Sequence, residues 1–438
     1  MLILHNISLR NSLAANTSHW PTRVVGCTVI GQDPRTNLPV TISATSKVVI
    51  DGAFPWEDFS YPILTPPCLV AGCITTVARG LKSPSSLGFG PAVNLVGSPE
   101  AVFVFGEKEG GLDLLQILPS ATTAIVYTTS IIYGGVVAWQ VDALGRLYLV
   151  GMVDDGDYES PTPSIRVLNW LTTRNRDAFV TENVIKRLSI YSSPSCLTFP
   201  VMPNFAVFGK LVSAWLEPTT GDLYTTDMRC FKIYRVEASA LHPTCGQAPQ
   251  YCGQIHPFVL LEDNGIYPYN STKVSLVGDP ARDILYVAYS GGLCGIGAFV
   301  LSTGAGLGWV VGASKAGSPG QYEGRCGFGG DGGSALGPGV ALSNEIGQLD
   351  VAPNGDLYIA DTGNNRIRRL ERSTGRLSTV VGDGVPRSIG DLGPAGEASV
   401  HRPVGVKFVV PSDNAVIGGQ RQYLYVTELD RVRRVLLN

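Results

Sequence analysis

One short phrase recurs along this chain and constrains its fold more than any other feature. A polar turn with Gly or Asp is followed by an apolar pair ending in tyrosine. It reads "DALGRLYLV" from Asp142, "PTTGDLYTT" from Pro218, "PARDILYVA" from Pro280 and "APNGDLYIA" from Ala352. Weaker copies are "SPEAVFVFG" from Ser98 and "GQRQYLYVT" from Gly419. The anchor aromatics are Phe103, Tyr148, Tyr224, Tyr286, Tyr358 and Tyr425. Uneven spacing between copies marks one supersecondary unit repeated with variable insertions.

The copy around Tyr358 spells the unit out. "GQLDVA" from Gly347 reads as a short alternating strand, "PNG" as a turn, and "DLYIAD" from Asp356 as a second strand. "TGNN" turns again, with residues that tolerate positive φ. "RIRRLE" from Arg366 is a third strand and "RLSTVVG" from Arg376 a fourth. Four antiparallel strands with short turns make one propeller blade, and stacking blades radially buries faces that a lone sheet exposes. Composition agrees. The chain carries 52 glycines and 29 prolines and is only 16% charged, which suits many short strands joined by turns.

The stretch "GFGGDGGSA…NEIGQLDVAPNGDLYIADTGNNRIRRLERSTGRLSTVVGDG" resembles the NHL repeat, a β-propeller family. The match is specific over 326–384 and 401–438 and looser over 74–325. The resemblance implies an all-β, six-bladed propeller of four-stranded antiparallel blades over residues 74–438. The chain ends on a third strand, "RVRRVLLN". "CITTVA" (Cys73 to Ala78) carries the fourth-strand phrase but precedes the first blade, so it is expected to complete the last blade and close the ring. Residues 1–73 lie outside; "NLPVTISATSKVVIDG" alternates like a strand, and the segment is a small β module or an extended arm.

Function is less constrained. A net charge of −3 gives no reason to bind nucleic acid or anionic lipid. The longest uncharged stretch, Leu114 to Val141, is long enough to span a bilayer, but Pro119, two glutamines and adjacent glycines make it two buried strands with a turn. No membrane insertion by this segment is expected. Nine cysteines include Cys68/Cys73 and Cys245/Cys252, separated like small disulfide loops. Asn6, Asn16 and Asn270 head N-x-S/T sequons. Together these point to an extracellular or cell-surface compartment, with a cytoplasmic location as the alternative. No secretory signal is visible, so a secreted chain implies numbering that starts inside a longer precursor.

The densest glycine run is "CGFGGDGGSALGPG" from Cys326. Gly327, Gly329 and Gly332 carry the spacing of a dinucleotide loop, but Gly337, Pro338 and Gly339 break any helix after it, and Asp331 puts a negative charge where a pyrophosphate sits. It is expected instead to be a rim connection between blades, whose backbone N–H groups remain open to an anion or a carboxylate. The candidate binding loops are therefore Gly329, Gly330, Asp331 and Gly332, and the acidic insertion at Asp154, Asp155 and Asp157.

Some NHL-like propellers are lyases that hold zinc with channel histidines. Only His401, of five histidines, neighbours a first strand, and one histidine makes no three-ligand site. No HExxH, G-x-S-x-G or P-loop lysine occurs. The arginines of the last two copies (Arg366, Arg368, Arg369, Arg372, Arg376, Arg431, Arg433 and Arg434) read as solvated blade edges rather than an RNA-binding face. The expected function is a non-catalytic interaction scaffold without cofactor or metal. It would contact proteins or glycans of a larger assembly through rim loops. The alternatives are a metal-dependent propeller lyase or hydrolase with a channel site, and an RNA-binding propeller.

Overall fold

The computed structural model describes residues 29–32, 39–42, 70–91, 100–108, 111–118, 123–129, 136–153, 162–169, 181–186, 196–202, 208–241, 252–261, 274–312, 324–411 and 421–438. Two compact units divide the chain, Met1–Pro66 and Pro67–Asn438. In the first, β1 (Val29–Gln32) and β2 (Pro39–Ile42) pair antiparallel, Val29 opposite Ile42.

The second unit is an all-β propeller with almost no helix. Its described strands form six four-stranded antiparallel sheets. Strand β3 (Ile74–Arg79) comes first in the chain but pairs with the last sheet. The first sheet holds β4 (Leu87–Pro91), β5 (Glu100–Lys108), β6 (Gly111–Ile117) and β7 (Thr123–Thr129). The second holds β8 (Val136–Val141), β9 (Arg146–Val153), β10 (Thr162–Asn169) and β11 (Thr181–Lys186). The third holds β12 (Leu211–Leu216), β13 (Leu223–Asp227), β14 (Lys232–Val236) and β15 (Ile255–Leu260). The fourth holds β16 (Val274–Asp279), β17 (Ile284–Tyr289), β18 (Gly295–Val300) and β19 (Gly306–Val311). The fifth holds β20 (Leu349–Val351), β21 (Leu357–Asp361), β22 (Arg366–Glu371) and β23 (Arg376–Val381). The sixth holds β24 (Gly405–Val409), β25 (Tyr423–Thr427), β26 (Arg431–Leu436) and, as its fourth strand, β3.

Each anchor aromatic lies on the second strand of its own sheet, and all six are buried. Burial explains why the repeated phrase lacks a clean alternation. The second strands Leu223–Asp227, Leu357–Asp361 and Tyr423–Thr427 are buried at every position, because both faces meet a neighbour. The outermost strand β19 is exposed over Gly306–Gly308.

Neighbouring sheets interlock through tryptophan and glycine. Trp139 on β8 lies so close to Gly88 on β4 that a Cβ there would sit 2.4 Å from the indole. Trp215 on β12 does the same to Gly278 on β16, at 2.2 Å. Only a residue without a side chain lets these buried rings close the seam.

One expectation needs correction. The uncharged stretch Leu114–Val141 is not two strands with a turn. It takes in part of β6 and the whole of β7 and β8, and so crosses from one sheet to the next. The outer strand of one sheet and the inner strand of the next are both apolar, so hydropathy alone does not show the boundary.

Candidate functional site

The glycine run connects β19, the last strand of one sheet, to β20, the first of the next. Antiparallel strands alternate in direction, so this connection emerges at the same end as the turn between second and third strands. Bonds across that end confirm it: Asn364 Nδ2 donates to the Gly327 carbonyl, and Arg402 N–H to Asn365 Oδ1 at 3.0 Å. Asn365 holds φ +52°, the left-handed turn residue that "TGNN" supplies.

Asp331 pins the loop to the sheet. Its Oδ1 sits 2.8 Å from Arg368 Nη2 and 3.0 Å from Nε, and its Oδ2 accepts from the Thr379 hydroxyl at 2.7 Å. Arg368, on β22, is fully buried and also donates to the Gly329 carbonyl at 2.9 Å. Asp361 closes the far side, its Oδ2 3.4 Å from Arg368 Nη1. Burial pushes the Asp361 carboxyl up, and Asn364, the Ser343 N–H and Arg368 pull against it without cancelling it.

The sixth sheet repeats this device with one carboxylate exchanged. Asp391 Oδ1 lies 2.8 Å from Arg433 Nη2 and 3.0 Å from Nε. Glu428 takes the place of Asp361, 3.3 Å from Arg433 Nη1. Burial raises its carboxyl too, ahead of the opposing Arg433 charge. Thr76 takes the place of Thr379, its hydroxyl donating to Asp391 Oδ2 at 2.7 Å. Thr379 is paired with Arg368 across β22 and β23, and Thr76 with Arg433 across β26 and β3. The N-terminal strand thus occupies the fourth-strand position down to the side chain that binds the loop carboxylate. Both aspartates follow a glycine at positive φ, Gly330 (+85°) and Gly390 (+92°), where a Cβ would strike Val340 or Ala398.

Two readings of the sequence fail here. Arg368, Arg433 and Arg434 are buried, not solvated edges, because loop carboxylates and tyrosine rings supply their partners. Arg372 and Arg376 are exposed. The glycine-run backbone is also not open to an anion at Gly327, Gly332 and Gly333. Their N–H groups are spent on the carbonyls of Leu342, Leu377 and Gly330.

The pinned loops present apolar side chains outward. Phe328 is 48% exposed, and Arg366 stacks on it with its guanidinium carbon 3.8 Å from the ring centroid. Val385, Ile389, Leu392 and Leu429 are exposed on the adjoining loops of the same end. The Cys294–Cys326 disulfide ties the start of the glycine run to the turn before β18. A second disulfide joins Cys196 and Cys230. Cys73 and Cys252 are also disulfide-bonded, while Cys68 and Cys245, their expected partners, lie outside the described residues. So do Asn6, Asn16, Asn270, Asp154, Asp155 and Asp157.

The first strands, or the residues just before them, contribute from all six sheets to one cavity of about 230 Å³. Ser85 and Ser86 precede β4; Gln140, Ser213, Ser275, Asp350 and Lys407 come from the other five. His401 is not among its lining residues; its N–H donates to Glu428. Among the described residues, no group of three or more His, Cys, Asp or Glu side chains is placed to hold a metal. The cavity charges were invisible in the sequence, since no motif links Asp350 to Lys407. The Asp331/Asp391 pair did carry a signal, a Gly-Asp ahead of each R-x-R third strand.

No protein-family model matches the sequence, and neither does any curated protein. Solved structures do match. A structural genomics protein of unknown function from Bacteroides thetaiotaomicron aligns at 16% identity with a TM-score of 0.51, covering 83% of this chain and 75% of that one. An auxiliary nutrient binding protein from Bacteroides ovatus aligns at 14% identity with a TM-score of 0.50, covering 83% and 72%. Another from Bacteroides thetaiotaomicron gives 13%, 0.51, 83% and 75%. At these identities the likeness is one of fold, the β-propeller.

Proposed function

We propose that this chain is a non-catalytic binding scaffold, an NHL-type six-bladed propeller closed into a ring by β3, that contacts a protein or glycan outside the cell. The six sheets sharing one cavity, and Thr76 standing where Thr379 stands, support the closed ring. The disulfides support an oxidising compartment. The observation that carries the binding role is the pinned rim. Buried arginines fix two loops to their blades, and those loops hold Phe328, stacked on Arg366, in solvent. A rigid aromatic with an adjacent guanidinium loses little entropy on binding and suits both protein and sugar surfaces.

The test is photocrosslinking. A photoreactive phenylalanine at position 328 is presented to the surface fraction of the source cells. The reading predicts a discrete crosslinked partner, lost from competition when unlabelled Phe328→Ala replaces the wild-type competitor, with the thermal midpoint unchanged. Crosslinks absent at 328 but obtained from the opposite end, at Leu144, contradict it.

A further inference from the structure

The cavity among the first strands is a second place where this protein is built to hold something. We propose that it binds a small, neutral, polyhydroxylated molecule, the size of one sugar ring or an open-chain polyol. This goes beyond the rim reading and does not depend on it.

Size points to a small occupant. A cavity of about 230 Å³ lies just below the range of about 300–1,000 Å³ usual for ligand pockets. Charge sets the class. Asp350 and Lys407 are the cavity's ionised side chains, and they bind each other, Nζ to Oδ1 at 2.7 Å. The Asp350 Oδ2 also accepts the Phe408 N–H at 2.6 Å. The cavity therefore has no net charge to attract an ion. A free anion would face Asp350, and a free cation Lys407.

Hydrogen-bonding capacity sets the chemistry. Lys407 gives one N–H to Asp350 and keeps two; its side chain is 27% exposed, so solvent reaches it. Gln140 donates one amide N–H to the Ala214 carbonyl at 3.1 Å and keeps its oxygen and second N–H. Gln348 is held by Leu87 and Val406 through three bonds and retains one N–H. Ser275 lines the same space. The wall thus offers spare N–H donors from Lys407, Gln140 and Gln348 together with the acceptor oxygen of Gln140. Hydroxyl groups, which donate and accept at once, match that mixture better than a carboxylate or an ammonium does. The groups are also fixed beforehand: Asp350 is buried and holds Lys407, and Gln348 is tied to the first and the sixth sheets.

Isothermal titration calorimetry on the full chain tests this with four probes: galactose, mannitol, galacturonate and galactosamine. Saturable binding of galactose or mannitol is expected, with galacturonate and galactosamine weaker by about tenfold, one net hydrogen bond's worth. Gln140→Leu and Lys407→Met should each weaken the neutral probe about tenfold. Phe328→Ala should leave it unchanged, which separates this site from the rim. Gln140→Leu guards against a folding artefact, since Gln140 takes no part in the ion pair. The proposal is overturned if neither neutral probe binds. It is equally overturned if the acid or the amine binds tighter, or if natively folded Gln140→Leu binds as the wild type does.

Discussion

Replacing Asp331 by alanine should expose how the rim is held. The change leaves Arg368 fully buried with its nearer carboxylate gone; Asp361, 3.4 Å away, remains as a counter-charge and the Gly329 carbonyl as a neutral acceptor. Removing one member of a buried pair costs about 3–5 kcal/mol. Asp331 is 36% exposed, so water replaces part of what it gave, and the low end, about 3 kcal/mol, applies. An unfolding entropy of about 2.1 cal/mol/K per residue gives Pro67–Asn438 roughly 0.8 kcal/mol/K, so the midpoint should fall by about 4 °C. Differential scanning calorimetry reads this directly. The decisive comparison is Asp331→Ala with Asp331→Ala/Arg368→Met. If the loss comes from a stranded guanidinium, the double variant recovers most of the midpoint. Additive losses would refute the reasoning.

The same logic makes Asp391→Ala more damaging than Asp331→Ala in the same scan, since Asp391 is only 21% exposed and, beyond the threonine that each aspartate binds, also pairs with Arg79. Gly88→Ala should cost about 1–3 kcal/mol in calorimetry, because its Cβ would sit 2.4 Å from Trp139. Cys294→Ser/Cys326→Ser opens a loop of sequence separation 32 and should lower stability by about 4 kcal/mol, read as a drop in the denaturant midpoint. Glu217 is desolvated, yet the N–H groups of Thr219 and Thr220 outweigh that and hold its carboxyl below the ordinary glutamate value. A lowered carboxyl contributes stability above its unfolded value, near pH 4.5, and loses it as pH falls through the folded one. Glu217→Gln should therefore destabilise the protein at pH 7 and leave it near wild type at pH 3.

The sequence made the repeat legible because the anchor aromatic of each copy is buried between sheets and cannot be replaced by a polar residue without cost. The unit around Tyr358 could be read to its fourth strand, because Gly355 and Asn365 mark its turns with positive φ. The N-terminal strand was also legible, because "CITTVA" carries the fourth-strand phrase ahead of the first sheet, and it pairs with β26. The arginines were misread because burial of a charge leaves no trace in hydropathy. Arg368 looks like Arg366 until Asp331, 37 residues away, is brought beside it. The cavity was illegible for the same reason. Asp350 and Lys407 are 57 residues apart and meet only because the first strands of two sheets lie side by side.

The central claim is a ring completed by β3, and amide hydrogen exchange on the intact chain tests it most directly. If Ile74–Arg79 is the fourth strand of the last blade, its amides that face β26 should exchange as slowly as those of Arg431–Leu436, and Thr76→Val should speed exchange in both strands and in the loop around Asp391 together. Exchange of Ile74–Arg79 within seconds, while Arg431–Leu436 remains protected, would contradict the account.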